Sequence, residues 1–197
     1  MDFSTLNRSK NRNFLYDSYG ILESDFLCVA MGRLHHQKNY VMMLKSISVA
    51  KKKNPSIKLI ILGDGPDRNA LINLRDDLKL QNNVFFTGVV DEVNKYLSVC
   101  DLFLMTSVFE GMPLAICEAM LAELPMVVTD FIGVNEFVKE YYPIVAQDDH
   151  LSFGHEILLS VDRDFSEQII AAKSNIEENY SINNIVDIWL TIYNGKM

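Results

Sequence analysis

The 197-residue sequence contains no apolar run that approaches the roughly 20 residues needed to cross a bilayer. Its first residues lack the basic and apolar regions of a secretory signal peptide, so we expect a cytoplasmic protein. Cysteine is also scarce: Cys28, Cys100 and Cys117 lie in or beside apolar segments. Their odd number and their spacing argue against a disulfide framework and a zinc site, and predict buried thiols in a reducing compartment.

Positive charge is scarce in most of the chain. The formal net charge is −8, while the hydrophobic fraction of 49% is ordinary for a globular protein with a core. Residues 1–58 carry ten Lys and Arg against four Asp and Glu, whereas the remaining residues carry eight against twenty-two. This acidic balance disfavours nucleic-acid binding. The basic opening segment can serve one anionic ligand if its cations converge in space.

Short apolar runs alternate with segments of helical periodicity. We predict buried strands at residues 26–31, 57–62, 84–87, 102–106 and 126–129. The segments predicted as helices are residues 40–53, 66–78, 91–99, 113–122 and 134–140, followed by three at 150–161, 166–178 and 182–193. The pattern predicts a single α/β domain over residues 1–197, with a core at about 26–140 and closing helices at about 150–195.

The predicted strands lack outward polar positions, which is typical of a parallel sheet covered by helices on both faces. Ligands of such sheets bind at the carboxyl ends of the strands, beside the helix N-termini. Gly32, Gly63, Gly88 and the segment 107–111 fall at these ends. We therefore expect them to lie along one edge of the sheet.

The strongest local pattern is SVFEGMPLAICEAM, at residues 107–120. Pro113 marks a first helical turn, so the free backbone amides near Gly111 and Leu114 form an anion site. Glu118 is the only charge between Gly111 and Ala122, with no cation one turn away on the helix. Because a buried carboxylate needs a partner, two interpretations are open: a structural bond to a loop or a basic residue, or acceptance of ligand hydroxyls.

A second pattern, GRLHHQK at residues 32–38, places two cations directly after a strand. Arg33 supplies a planar fork of donors and Lys38 a point charge, a pair suited to a diphosphate. The alternative is that both are exposed surface cations. His35 and His36 could touch phosphate, although loop histidines without partners are more often uninvolved.

A third pattern, GDGP at residues 63–66, is a tight turn whose small residues let a ligand approach the backbone. By itself it fits any strand-to-helix turn. The chain lacks the six-residue glycine fingerprint of dinucleotide sites and a P-loop, which disfavours a dehydrogenase. Residues 162–164, Asp-Arg-Asp, match a metal-binding motif, but they lie between late helices and away from the predicted edge, so we do not expect metal binding there.

These motifs occur in a specific order along the chain. They are Gly32-Arg33-Leu34 with Lys38, Gly63-x-Gly65-Pro66, Phe86-Thr87-Gly88, Ser107-x-x-Glu110-Gly111-x-Pro113, Glu118-Ala119-Met120, Pro125 with Val127-Val128 and Asp130, and Glu136. The order resembles the C-terminal domain of the retaining GT-B glycosyltransferases of family 4, the group 1 type. Two glutamates with seven residues between them, here Glu110 and Glu118, are that family's signature.

The resemblance implies a Rossmann-like donor domain, one half of a GT-B fold, that binds a nucleotide-diphospho-sugar such as a UDP- or GDP-sugar without a metal or another cofactor. By matching position, Arg33 and Lys38 would grip the diphosphate and offset charge on the leaving group. Glu110 would face the transferred sugar, and Glu118 would hold the ribose hydroxyls. The loop after Gly88 would hold the base.

Backbone contacts complete the site that the resemblance implies. The amides near Gly111, Met112 and Leu114 would assist the cations at the diphosphate, while Gly32 and Gly63 would border the donor. Two positions depart from the family pattern. Glu123 stands where the family usually has glycine, and Ile132-Gly133 replaces a usual Gly-Gly in a loop near the donor, which bears on sugar preference.

The resemblance also implies partners. Enzymes of the family have about twice this length, and this sequence begins at about the interdomain linker. We therefore expect an acceptor-binding N-terminal domain, in the same chain or a separate one, and the complete enzyme can associate peripherally with a membrane. The closing helix with Trp189 and Tyr193 would expose apolar surface without that domain.

Two functions from different classes are compatible with the sequence. The first is the donor half of a retaining enzyme that transfers a hexose to a polysaccharide or lipid-linked acceptor. The second is a non-catalytic nucleotide-sugar-binding or scaffold module that acts with a partner chain. In both cases we expect the isolated chain to be inactive in transfer.

Overall fold

The computed structural model describes residues 12–111, 113–138 and 140–180. The strands in these ranges are β1 (Phe26–Met31), β2 (Ile57–Leu62), β3 (Val84–Gly88), β4 (Leu102–Met105), β5 (Met126–Thr129) and β6 (Ile144–Val145). The helices are α1 (Asn13–Tyr19), α2 (Tyr40–Lys53), α3 (Arg68–Asp77), α4 (Val93–Leu97), α5 (Leu114–Leu121), α6 (Val134–Phe137), α7 (His150–Ser160) and α8 (Ser166–Asn179), with a 3₁₀ turn at His36–Lys38 before α2.

The described strands form one parallel sheet in the order β3-β2-β1-β4-β5-β6. This confirms the predicted α/β class with a parallel sheet. The first strand, β1, pairs with β2 on one side and with β4 on the other, so the chain reverses its direction of growth across the sheet at this point. A crevice opens at such a switch point, outside the carboxyl ends of the two strands.

Alternate residues of β1 belong to two hydrophobic cores, one on each face of the sheet. Leu27 and Val29 pack in a core with residues of α5 and α8, whereas Cys28 and Ala30 pack in a core with residues of α2 and α7. Both faces are therefore covered, which explains why these strands have no polar face. The three cysteines are buried thiols that form no disulfide, as expected, and burial raises the pKa of the Cys28 thiol.

The elements differ from the sequence prediction mainly at their ends. The predictions omit α1 and β6. Helix α3 begins at Arg68 rather than at Pro66, since the Asp67 amide donates to the Leu34 carbonyl and holds the turn outside the helix. The predicted helix at 182–193, with Trp189 and Tyr193, lies outside the described residues. No helix in the described ranges is long and apolar enough to cross a membrane.

An arginine that the sequence analysis overlooked closes the amino edge of the sheet. Arg12 is 8% exposed, and its guanidinium donates to the carbonyls of Val99 at 2.8 Å and Asp25 at 2.6 Å. It also donates to both carboxylate oxygens of Asp101, each at 2.8 Å. Asp101 in turn accepts the Leu27 amide at 2.7 Å. The pair therefore ties the start of α1 to the starts of β1 and β4.

Candidate functional site

A cleft of about 270 Å³ opens at the carboxyl edge of the sheet, beside β1. Four predicted site residues, from three separate motifs, line it: Gly32, Lys38, Gly63 and Glu118. The other lining residues are all apolar: Met31, Leu62, Val89, Val90, Val93 and Ala115. The cleft thus combines one cation and one carboxylate with an apolar wall.

Two glycines let the ends of β1 and β2 pack directly against each other. A Cβ atom on Gly63 would lie 2.1 Å from the Gly32 carbonyl oxygen, and one on Gly65 would lie 2.3 Å from the Leu34 carbonyl oxygen. Such distances exclude any side chain at either position. The glycines of this turn are therefore required by contact between two loops, independently of any ligand.

The end of β3 joins the same edge. The Gly63 amide donates to the Gly88 carbonyl at 2.8 Å, and Gly88 has a φ of 76°, in the left-handed region that favours glycine. The chain then continues through the exposed Val89 to the cleft-lining Val90 and Val93. The expectation that Gly32, Gly63 and Gly88 lie along one edge is confirmed.

Lys38 and Glu110 form an ion pair beside the cleft. The Lys38 ammonium lies 2.6 Å from Glu110 Oε1, which also accepts the Ser107 hydroxyl at 2.6 Å. The Glu110 side chain is only 8% exposed, so its charge needs both donors. Beneath them the Tyr40 hydroxyl donates to the Gly32 carbonyl at 3.3 Å. Burial and the Glu110 carboxylate raise the pKa of Tyr40 well above its ordinary value, so the phenol stays protonated.

Glu118 lies on the second turn of α5 and faces the cleft. It is half-buried, and burial raises the pKa of its carboxyl group. Unlike the Glu110 carboxylate, the Glu118 carboxylate makes no hydrogen bond or ion pair with the residues that the structure describes. Of the two interpretations drawn from the sequence, the structure therefore gives no support to a structural bond within the described ranges.

Three other predicted site residues, Arg33, Gly111 and Leu114, do not line the cleft. Arg33 is exposed, and its guanidinium makes no hydrogen bond or ion pair within the described part of the chain. Gly111 is exposed just before α5, and Leu114, at 61% exposed, is the first residue of that helix. Met112 lies outside the described residues.

The cations of the basic opening segment do not all converge. Lys38 lines the cleft, but Arg12 lies at the opposite edge of the sheet, and Lys51, Lys52 and Lys53 end α2. Cations at that helix end interact favourably with its dipole. Only part of the positive charge near the start of the sequence is therefore available to an anion in the cleft.

Two other groups that the sequence singled out are engaged elsewhere. The rings of His35 and His36 contact each other, with centroids 4.0 Å apart. In the Asp-Arg-Asp segment, Asp164 accepts the Ser166 amide at 2.9 Å at the start of α8, and Arg163 lies 3.4 Å from Glu156. Within the described ranges, no group of three or more His, Cys, Asp or Glu is placed to hold a metal ion.

The two departures from the family pattern have different structural settings. Glu123 has a φ of 58°, in the left-handed region, which explains why glycine is usual there. Its carboxylate accepts the Lys173 ammonium of α8 at 2.7 Å, which ties α8 to the end of α5. Ile132 is 89% exposed in the loop after β5, and Gly133 next to it has a φ of 89°.

The fold and the cleft define a doubly wound α/β domain with a cleft at its switch point. The model of the family described as "Glycosyl transferases group 1" matches residues 11–175. The chain belongs to this family of glycosyltransferases.

Relatives and solved structures agree with this membership. An uncharacterized glycosyltransferase of Methanocaldococcus jannaschii is 32% identical over 169 residues, covering 84% of this chain and 42% of the relative. A Staphylococcus aureus TarM variant, solved with fondaparinux, alpha-GlcNAc-glycerol and UDP, has a TM-score of 0.81 and 26% identity, covering 86% of this chain and 36% of TarM. The C-terminal domain of LpcC, a group 1 family protein from Francisella tularensis, shares the fold, with a TM-score of 0.75 and 16% identity, covering 92% of this chain and 99% of that domain.

The matches also show what share of each relative's length corresponds to this chain. The chain spans less than half the length of the curated relatives that it matches. It corresponds in fold to a domain that has been solved by itself, the LpcC C-terminal domain.

Proposed function

We propose that the chain binds a nucleotide-diphospho-sugar in this cleft and supplies the donor half of a retaining glycosyltransferase. The observation that carries the proposal is Glu118. Its half-buried carboxylate faces the cleft without a partner in the described ranges, and a desolvated charge of this kind is costly until a donor satisfies it. A ribose presents two adjacent hydroxyls that can donate to the two carboxylate oxygens.

The diphosphate lies, in this proposal, between Lys38 and the start of α5. Lys38 supplies one positive charge, Arg33 is exposed and free to supply another, and the amides at Gly111, Met112 and Leu114 add donors. When the bond to the sugar breaks, these groups stabilise the negative charge that develops on the departing diphosphate. Because Lys and Arg supply the positive charge, the proposal requires no metal ion and no other cofactor.

Glu110 would face the transferred sugar. In the ligand-free cleft it shares its oxygen Oε1 between Lys38 and Ser107. A diphosphate competes with Glu110 for Lys38, since both are anions in reach of the same ammonium. Ligand binding would thus turn a resting ion pair into a phosphate contact and leave Glu110 an acceptor for sugar hydroxyls.

The base would occupy the apolar end of the cleft, against Val90 and Val93. Neither residue has a polar side-chain atom, so hydrogen bonds to the base would come from the backbone after Gly88. Uracil is the base that we propose, because the TarM structure contains UDP. GDP-sugars are the alternative that the same experiment tests.

A second domain, in the same chain or a separate one, would bind the acceptor. The basis is that curated relatives are about twice as long as this chain. The TarM structure contains both alpha-GlcNAc-glycerol and UDP, which supports a polysaccharide or lipid-linked acceptor. The proposed setting is the cytoplasm, where nucleotide sugars and reduced thiols occur together.

A thermal-shift and activity screen tests the proposal. UDP, GDP, their glucose and N-acetylglucosamine derivatives, and the parent nucleosides are each added to the purified chain. We expect stabilisation by nucleoside diphosphates and their sugars well above that by nucleosides. We also expect no sugar transfer by the chain alone, because one half of a cleft cannot position an acceptor or exclude water. Absence of any shift with every diphosphate would reject the proposal.

A further inference from the structure

The segment Ser107–Gly111 forms no helix or strand, yet other elements bond much of its backbone. The Ser107 carbonyl accepts the Thr129 hydroxyl at 2.7 Å, and the Val108 amide donates to the Gln37 carbonyl at 2.8 Å. The carbonyls of Val108 and Phe109 each accept a hydrogen bond from a glutamine side chain. A loop without its own hydrogen-bond ladder is placed by such contacts alone.

Gln147 bonds this segment from the side of β6. Its side-chain amide donates to the Val108 carbonyl at 2.8 Å and to the Asp130 carbonyl at 2.7 Å. Both amide protons are thus used, one on the loop after β4 and one on the loop after β5. The loops after β4 and β5 are therefore joined through a single side chain.

Gln37 bonds the segment from the opposite side. Its side-chain amide donates to the Phe109 carbonyl at 2.8 Å, while its own backbone carbonyl accepts the Val108 amide at 2.8 Å. Gln37 precedes Lys38 in the same 3₁₀ turn. The turn that presents Lys38 to the cleft is therefore fastened to the loop that presents Glu110.

We propose that Gln37 and Gln147 are positioning residues, which fasten the Ser107–Gly111 segment so that Glu110 and the amides before α5 face the bound donor. The inference rests on the proposed function for the identity of that donor. Neither glutamine lines the cleft, so both act through the backbone of the segment. Among the described residues, Lys38 and Ser107 hold the Glu110 carboxylate, so a shift of the segment would move it directly.

The chemistry explains why amides are needed at both places. Each side chain faces carbonyl oxygens, which only a donor can satisfy. Replacing an amide with the isosteric carboxylate keeps the shape but sets an anion against one or two carbonyl oxygens. Gln147→Glu removes two bonds and Gln37→Glu one, so the first change should have the larger effect. Gln147→Lys, which still donates, should retain more function than Gln147→Glu.

The test combines ligand titration with hydrogen exchange. UDP-glucose, UDP and uridine are titrated calorimetrically into the parent, Gln147→Glu, Gln37→Glu and Gln147→Lys proteins. The matched control is Gln81→Glu. Gln81 lies in the exposed turn before β3, and its side-chain amide donates to the Asp76 carbonyl of α3. Exchange of the Val108 amide is measured by NMR without ligand, together with the melting temperature of each protein.

We expect Gln147→Glu to bind UDP-glucose about tenfold more weakly, with uridine binding unchanged. Val108 exchange should quicken by a similar factor, and Gln81→Glu should match the parent in every measurement. Unchanged UDP-glucose affinity and unchanged exchange would overturn the inference. So would equal losses for uridine and UDP-glucose that follow a lower melting temperature, since these would show a general structural role.

The result also separates this inference from the proposed function. If the parent binds none of the three ligands, the proposed function fails and the role toward a donor fails with it. If the parent binds UDP-glucose and the glutamate variants bind it equally well, the proposed function stands and only the role of Gln37 and Gln147 is rejected.

Discussion

The two edges of the sheet each carry an ion pair, and the pairs differ in how completely they are satisfied. At the amino edge, the buried Arg12 guanidinium donates to three backbone carbonyls and to both oxygens of Asp101, which also accepts a backbone amide. At the carboxyl edge, Lys38 meets one oxygen of Glu110 beside an open cleft. Near it, Glu118 has no partner among the described residues.

This difference separates structure from function within one domain. A buried charge that is fully bonded by its own chain has no capacity left for a ligand, so Arg12 serves the fold. A half-buried carboxylate without a partner destabilises the free protein through its desolvation, and a ligand that donates hydrogen bonds can remove this cost. The comparison predicts that substitutions at the amino edge lower stability, whereas substitutions at the carboxyl edge lower affinity.

The largest effect is expected at the amino edge. Arg12→Ala leaves the Asp101 carboxylate with one amide donor and orphans buried carbonyls, which should cost about 3–5 kcal/mol in the free energy of unfolding. Urea denaturation measures this loss. The protein that remains folded should bind UDP with the parent's affinity. A loss below about 1 kcal/mol, the level of an exposed ion pair, would break the comparison.

The second effect concerns affinity at the carboxyl edge. Arg33→Ala and Lys38→Ala should each weaken UDP binding by about 1.5–3 kcal/mol, the worth of a charge-assisted hydrogen bond, while uridine binding changes little. Lys58→Ala is the matched control, since its ammonium donates to the Asn82 carbonyl away from the cleft. Calorimetric titration gives both affinities. Equal losses for UDP and uridine would remove the two cations from the phosphate role.

The smallest effect is expected at Glu123, where relief of backbone strain and loss of an ion pair change the free energy of unfolding in opposite directions. Glu123→Gly relieves a left-handed backbone conformation that costs about 1–2 kcal/mol in other residues. It also removes an exposed ion pair with Lys173, worth about 0–1 kcal/mol. The free energy of unfolding should therefore rise by about 0–2 kcal/mol. A clear destabilisation would show that the tie between α5 and α8 outweighs the strain.

The sequence predicted the sheet well because each strand is an apolar run that ends at a glycine or a polar turn. It placed Gly32, Gly63 and Gly88 at one edge, since parallel strands bring all their carboxyl ends to the same side. It did not predict β6 or α1. Short elements are fixed by their neighbours in the fold rather than by their own pattern.

The candidate site was predicted only in part, because side-chain partners depend on tertiary structure. The isolation of Glu118 follows from its own helix, and the sequence revealed it. The pairing of Lys38 with Glu110 spans 72 positions and left no local signal. Arg12 was counted as part of a basic segment, whereas it lies at the other edge of the sheet. A polar residue at a strand start, such as Asp101, was the one cue that could have marked its partner.

In the proposed site, a bound ligand and not the protein donates the hydrogen bonds that satisfy the Glu118 carboxylate. Because burial raises the pKa of this carboxyl group, its charged form costs the ligand-free protein stability above the raised pKa, and the cost disappears as the pH falls below the ordinary value. Glu118→Gln should therefore melt at or above the parent temperature at neutral pH, with the difference shrinking in acid.

The measurement that tests this claim most directly is a calorimetric titration of UDP into the parent and Glu118→Gln proteins, alongside their ligand-free melting at neutral pH. The account predicts a loss of roughly 1–3 kcal/mol in affinity from the weaker acceptor, without a loss of melting temperature. If the variant binds UDP as tightly as the parent and melts well below it, Glu118 is a structural residue and the account is contradicted.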